Sequence, residues 1–133
     1  MLEENKRLVR RYYELVAGNL AGIEEVVTAD FVDHHFPPDT PPGPDGVRQF
    51  FTQFIPGFFS DLRIEIDFLL AEGDRVDCHF AALFKHTGEF AGVAPTGKQI
   101  RVPAISTFRI AGGKPAEAWE LYDSGDMLRQ IQA

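Results

Sequence analysis

The chain has 133 residues, of which 44% are hydrophobic, and this size and composition predict one domain with a substantial core. Its formal net charge of −7, with thirteen scattered basic residues, argues against binding to nucleic-acid backbones, which attract clustered Lys and Arg. Twelve Phe, three Tyr and one Trp exceed what a small core needs, so we expect an aromatic-walled pocket or a subunit interface.

Signals for targeting, disulfide formation and metal binding are missing from the sequence. Met1 leads into a polar amphipathic segment and no long apolar run follows, so we expect a cytoplasmic protein without a membrane-spanning segment. Cys78 is the single cysteine and is expected to be a buried structural thiol. Because the chain has no His-x-His, His-Glu-x-x-His or cysteine-pair motif, we expect no bound metal.

Three helical segments are predicted in the first half of the chain. Apolar residues at helical spacing ahead of Gly18 predict a helix over about 3–17, and a shorter helix is predicted around 23–27. Residues 30–36 are expected to be extended, followed by a proline-rich loop to residue 44. Pro44 is a good first-turn residue for a third helix with a strongly apolar face, which Pro56-Gly57 should kink or end.

Four consecutive antiparallel strands are predicted in the second half, over about 62–71, 75–86, 99–111 and 115–123. The first strand alternates strictly, and its apolar positions are predicted to share one buried face: Leu62, Ile64, Ile66, Phe68 and Leu70. Gly112-Gly113 is a tight hairpin signal between the last two strands. Helices followed by an antiparallel sheet predict the α+β class.

The last strand ends on an acid that allows two interpretations. Residues two apart on a strand share a face, so Asp123 should continue the line of Trp119 and Leu121 toward whatever that face covers. In an apolar cavity the pKa of its carboxyl would be raised, which would suit an acid or base. Alternatively, Asp123 caps a short terminal helix that carries Met127, Leu128 and Ile131.

The pattern Glu-x-Trp-x-x-x-Asp-x-x-x-x-x-x-Gln from Glu117 to Gln130 resembles the SnoaL-like polyketide (ester) cyclases. The resemblance extends through Asp33-His34, 42–47, 86–90 and 95–98, and covers nearly the whole chain, 1–133, as one domain. It implies a cone-shaped α+β barrel of the NTF2-like (cystatin-like) type, in which N-terminal helices pack in a curved, mostly antiparallel sheet. It also implies a homodimer formed through the outer sheet face.

The resemblance implies a lyase- or isomerase-type enzyme that closes a ring by intramolecular aldol condensation without a cofactor. The substrate would be a small hydrophobic or aromatic carbonyl compound, and Asp123 would be the acid/base. Two alternatives remain open, because this fold hosts many chemistries. One is a non-catalytic protein that binds a small hydrophobic ligand, and the other is an enzyme of the ketosteroid-isomerase or epoxide-hydrolase type.

The resemblance also suggests which other residues contact the substrate. Only one of the adjacent His34 and His35 can point inward, and the family pattern favours His34 at the pocket mouth, assisting Asp123. The alternative is that this histidine bonds the backbone of the proline loop. Further candidates for substrate binding lie on the two long strands, the first helix and the third helix: His86, Trp119, Leu121, Tyr12 and Phe54. For the first-helix tyrosines, core packing is the alternative.

Overall fold

A computed structural model describes all residues from 1 to 133 as three helices and a five-stranded sheet. In chain order the elements are α1 (Leu2–Val16), β1 (Val32–Asp33), α2 (Pro44–Gln49), β2 (Phe59–Glu72), β3 (Arg75–His86), β4 (Gln99–Ala111), β5 (Lys114–Tyr122) and α3 (Ser124–Gln132). The predicted second helix is only a 3₁₀ turn, Ile23–Glu25. None of the helices combines the length and the apolar character needed to cross a membrane.

The strands lie in the order β1-β5-β4-β3-β2, and the four long strands pair antiparallel as predicted. The two-residue strand β1 adds to β5 in parallel, with Val32 opposite Glu117 and Asp33 opposite Ala118. The α+β class is therefore confirmed. The sheet does not close into the barrel that the family implies, because β1 and β2 form its two open edges and do not pair with each other.

Helix α1 packs against the inner face of the sheet and supplies the centre of the core. Val9, Tyr12, Tyr13 and Val16 recur at helical spacing and are all buried. A smaller second core joins α3 to the sheet, where Met127 and Ile131 pack on the inner face. Between these two cores the inner face is left open, and this gap becomes the candidate site.

The third predicted helix exists as three consecutive helical pieces. Helix α2 starts at Pro44 as expected, continues as a π-helical turn over Phe50–Phe54 and ends in a 3₁₀ turn at Ile55–Gly57. The backbone just before α2 packs closely against Ala29, and this contact requires a glycine at position 43. Gly43 has a φ of +78°, and a Cβ at this position would collide with the carbonyl oxygen of Ala29. All three phenylalanines of the π-helical turn, Phe50, Phe51 and Phe54, line the cavity described below.

The predicted buried face of β2 is correct up to Ile66 and wrong beyond it. The pairing with β3 shifts register between Ile66 and Phe68, so one extra residue enters β2 at this β-bulge. The bulge reverses the faces of the rest of the strand, because side chains alternate with period two. Leu69 is consequently buried, while Phe68 and Leu70 are 46% and 58% exposed on the outer face.

Candidate active site

A cavity of about 440 Å³ lies between the inner sheet face, the α2 segment and the proline loop. Of its 22 lining residues, 18 are hydrophobic, and the others are two prolines, His35 and Glu120. A cavity of this volume with a mostly apolar lining suits a small hydrophobic ligand. Its ionisable chemistry is concentrated in His35 and Glu120, apart from the phenols of Tyr13 and Tyr122.

One wall of the cavity is a run of aromatic rings. Phe50 lies between Phe36 and Phe54, with ring centroids 4.2 Å and 5.4 Å away and interplanar angles of 18° and 20°. Phe51 and Phe58 extend this wall with edge-to-face contacts. Phe54, which the sequence suggested as a substrate-binding residue, lines the cavity, and it is 43% exposed, which places it at the opening. The wall favours a flat, apolar ligand.

His35 connects two carboxyl groups beside the cavity. Its backbone N–H and its Nδ1–H both donate to Oδ1 of Asp33, and each donor–acceptor distance is 3.0 Å. Because an ionised Asp33 can only accept, these bonds assign the proton to Nδ1 and leave Nε2 facing Oε2 of Glu120 at 3.3 Å. The chain Asp33–His35–Glu120 can therefore hold and move a proton at the cavity wall.

Burial and neighbouring charge set the ionisation of this group. Burial raises the pKa of Glu120 to about 7; His35 opposes this rise and Asp33 adds to it. Burial alone would lower the pKa of His35, but the hydrogen bond to Asp33 and the charges of Glu120 and Asp33 raise it overall. Near neutral pH, Glu120 can consequently act both as a base and as an acid.

A bulge in the last hairpin decides which face of β5 meets the cavity. Next to the Gly112-Gly113 turn, Ile110 pairs with Pro115, but Arg109 pairs with Glu117, so one extra residue enters β5. Without this bulge, Trp119 would lie opposite Ser106 on the inner face. With it, Glu120 takes that place. Glu120 and Tyr122 line the cavity, whereas Trp119 and Leu121 face outward.

Asp123 does not continue into the cavity, so the predicted orientation of this acid is wrong. It is exposed and forms the N-cap of α3, where its Oδ1 accepts a hydrogen bond of 2.9 Å from the backbone N–H of Asp126. The alternative interpretation, a cap on a terminal helix, is confirmed. An acid within the same motif, Glu120, occupies the cavity wall instead.

His34, Trp119 and Leu121 were expected at the cavity and lie outside it. The ring of His34 stacks on Trp119 with centroids 5.3 Å apart, and its Nε2 lies 2.6 Å from Oε2 of Glu117. His34 and Arg109 together lower the pKa of Glu117 by hydrogen bonding. Leu121 is 82% exposed. Of the two adjacent histidines, His35 is the one that points inward, so the choice of His34 is wrong.

His86 and Tyr12 are buried but do not line the cavity. Nδ1 of His86 accepts a hydrogen bond from the backbone N–H of Thr96 at 3.3 Å, which fixes the loop after β3. Tyr12 lies in the main core between Phe31 and Phe108, and its hydroxyl has no hydrogen-bond partner. For Tyr12, core packing is therefore the correct alternative. No group of three or more His, Cys, Asp and Glu side chains is arranged to hold a metal ion.

Comparison with known proteins finds one matching family model and several solved structures of the same fold. A family model described as SnoaL-like polyketide cyclase matches residues 6–131. IdmH of Streptomyces antibioticus, a candidate polyketide cyclase, is 28% identical with a TM-score of 0.81, over 97% of this chain and 99% of its own. A candidate polyketide cyclase of Bacillus cereus is 26% identical with a TM-score of 0.77. The match covers 97% of this chain and 80% of the Bacillus protein.

Similarity of fold extends to more distant proteins. TsrD of Streptomyces laurentii has a TM-score of 0.82 at 20% identity, over 97% of this chain and 95% of its own. At that identity the likeness shows the fold alone. No curated protein matches the sequence.

Proposed function

The chain belongs to the SnoaL-like polyketide cyclase family, and from this premise we propose that it closes a ring in a hydrophobic carbonyl compound by an intramolecular aldol reaction. Glu120 is the general base and acid, and His35, held by Asp33, is its proton partner. The observation that carries the proposal is the contact of 3.3 Å between His35 and the cavity-lining Glu120, whose pKa is raised to about 7.

The first step removes a proton from a carbon between two carbonyl groups. Ionised Glu120 accepts this proton, and the electron pair of the broken C–H bond passes into an enolate. A base with a pKa near 7 suits this task, because it is substantially ionised at neutral pH and still binds a proton well. The rate of this step should therefore rise with pH through about 7.

The second step forms the ring. The enolate carbon attacks a second carbonyl carbon of the same molecule, a C–C bond forms, and the carbonyl oxygen becomes an alkoxide. Protonated Glu120 returns its proton to this oxygen directly or through Nε2 of His35. The product is an isomer of the substrate, so no electron acceptor or donor is required. The aromatic wall from Phe36 to Phe54 would hold the folded substrate close to its reactive conformation.

The acid/base group favours an enzyme over a protein that only binds an apolar ligand. A binding cavity gains affinity from apolar contacts, and a buried carboxyl group reduces that gain. Here the carboxyl is 16% exposed and is connected through His35 to a second acid, Asp33. Such a costly arrangement is typical of a proton-transfer site.

The test uses methyl naphthoylacetate, an aromatic β-keto ester, in deuterated water. We expect the protein to accelerate exchange of the activated methylene protons, followed by NMR. Glu120→Gln removes the base with little change in shape and should lower this acceleration at least ~100-fold. Asp123→Asn is the matched control, since Asn also caps helices, and it should keep the wild-type rate.

Each alternative outcome has a definite meaning. Binding of the ester without accelerated exchange would replace the proposal by the non-catalytic ligand-binding protein. Loss of exchange in Asp123→Asn with retention in Glu120→Gln would return the acid/base role to Asp123. Ring closure itself is measured with a β-keto ester that carries a second, tethered ketone. Its product has the same mass as the substrate and is detected by chromatography and mass spectrometry.

A further inference from the structure

A pair of hydroxyl groups lies in the otherwise apolar wall near Glu120. Oη of Tyr13 and Oγ of Ser106 are 2.7 Å apart, and both residues are buried. Ser106 is paired with Glu120 across β4 and β5, so the two side chains leave the sheet side by side on its inner face. Tyr13 reaches the same point from α1 and lines the cavity, whereas Ser106 does not.

The protons of this pair do not balance within the chain. Two hydroxyl groups carry two protons, and their mutual hydrogen bond uses one of them. Neither oxygen makes another hydrogen bond to the protein. One buried donor is thus left over, and a buried donor without an acceptor destabilises the fold because it loses its hydrogen bonds to water. Because only Tyr13 lines the cavity, the balanced arrangement has Ser106 donating to Tyr13 and Tyr13 donating into the cavity.

The phenol remains a donor at any physiological pH. Burial, with the nearby charge of Glu120, raises the pKa of Tyr13 well above its ordinary value, while the bond to Ser106 lowers it in part. A carbonyl oxygen on a ligand is an acceptor that a neutral phenol can bind, and an enolate or alkoxide oxygen is a stronger one.

We infer that Tyr13, positioned by Ser106, is the hydrogen-bond donor to the ligand's carbonyl oxygen, in the same part of the cavity wall as the carboxyl of Glu120. This inference rests on the proposed function for the identity of the ligand as a carbonyl compound. It assigns the orientation of the substrate: the oxygen next to the acidic carbon lies against α1, and the acidic proton lies toward β5. Negative charge that develops on this oxygen is then stabilised where Tyr13 donates.

The experiment measures the carbonyl stretch of acetylnaphthalene bound to the protein by difference infrared spectroscopy, together with its dissociation constant. Donation from Tyr13 should move the band to lower wavenumber in wild type. Tyr13→Phe should abolish this shift and weaken binding about tenfold, the effect of one hydrogen bond. Ser106→Ala should keep a shifted band, since the donor to the ligand is retained.

Tyr12→Phe is the matched control, because it removes the adjacent phenol, which is equally buried but does not line the cavity. It should leave both the band and the affinity unchanged. A band that is unshifted in wild type, a shift that persists in Tyr13→Phe, or failure of the probe to bind would overturn the inference. Failure of the acid/base proposal gives a different result: the wild-type protein would shift the carbonyl band of the probe but would not accelerate methylene exchange in the keto ester.

Discussion

Glu120 is the one carboxyl group in the cavity wall, and its ionisation is coupled to the stability of the fold. Its pKa rises from an ordinary 4.5 to about 7 on folding, so the folded state binds the proton more tightly than the unfolded chain. The stability that this group contributes is complete below about 4.5 and is lost as the pH rises through about 7. The shift corresponds to about 3 kcal/mol at most.

We therefore predict that Glu120→Gln flattens the dependence of stability on pH. The free energy of unfolding of the variant relative to wild type should increase between pH 4.5 and 7, because Gln has no charge to bury. Urea denaturation at several pH values measures this difference. Asp123→Asn serves as the control, and a parallel pH profile for Glu120→Gln and wild type would contradict a raised pKa for Glu120.

At the scale of single elements, α3 depends on its cap. Oδ1 of Asp123 satisfies the N–H of Asp126, one of the free donors at the helix start. We predict that Asp123→Ala lowers the free energy of unfolding by about 1 kcal/mol, while Asp123→Asn changes it by a few tenths. Thermal denaturation of both variants measures the effect, and equal stability of the two would show that the cap contributes nothing.

The aromatic wall formed by the α2 segment offers a matched pair of phenylalanines. Phe54 at the cavity opening and Phe68 on the outer sheet face are exposed by 43% and 46%. We predict that Phe54→Ala weakens binding of acetylnaphthalene about tenfold, because the ligand loses apolar contact area, while Phe68→Ala leaves the affinity unchanged. Fluorescence titration measures both constants, and equal affinities would place the ligand away from this wall.

Two bulges mark the limit of what the sequence predicts about these elements. Hydrophobic periodicity and turn signals predict the order of helices and strands, because local spacing determines them. The faces of β2 beyond Ile66 and of β5 beyond Pro115 depend on one extra residue in each strand. A bulge of this kind reverses every later side chain. That is why the sequence pattern indicated Trp119 and Asp123 where the cavity holds Glu120.

The choice between adjacent histidines failed for a related reason. Strand β1 has only two residues and pairs in parallel with β5. Its register with β5 therefore determines which of its side chains lie on the inner face. The side chain of Asp33 is buried and turns back to hold the ring of His35, while His34 continues on the outer side toward Glu117. No local spacing in residues 30–36 specifies this outcome. It requires the long-range pairing of Asp33 with Ala118.

At the scale of the whole molecule, the outer sheet face carries a row of aromatic and aliphatic side chains across all four long strands. Phe68, His79, Ile105 and Leu121 are paired in register along this row. Phe68 and His79 stack with centroids 4.1 Å apart, and Ile105 and Leu121 are 46% and 82% exposed. Single exposed apolar residues are ordinary, but a continuous row across four neighbouring strands is typical of an interface.

The charges around this row suit a second copy of the same chain. On one side Arg101 lies 3.5 Å from Glu65, and on the other Arg109 lies 2.9 Å from Glu117. Both sides thus carry both signs, so a two-fold related copy can place unlike charges opposite each other around the apolar centre. We predict that the protein is a homodimer through this face, with twice the mass of the 14.9 kDa chain.

Leu121→Asp tests the dimer without disturbing the fold, since the side chain is 82% exposed in the single chain. Two-fold symmetry places two added carboxylates in the interface, and burying unpaired charge should raise the dissociation constant at least ~100-fold. Leu2→Asp is the matched control, with the same exchange at a leucine that is 44% exposed on α1. Sedimentation equilibrium distinguishes the outcomes: a monomeric wild type, or equal dissociation of both variants, would exclude this face as the interface.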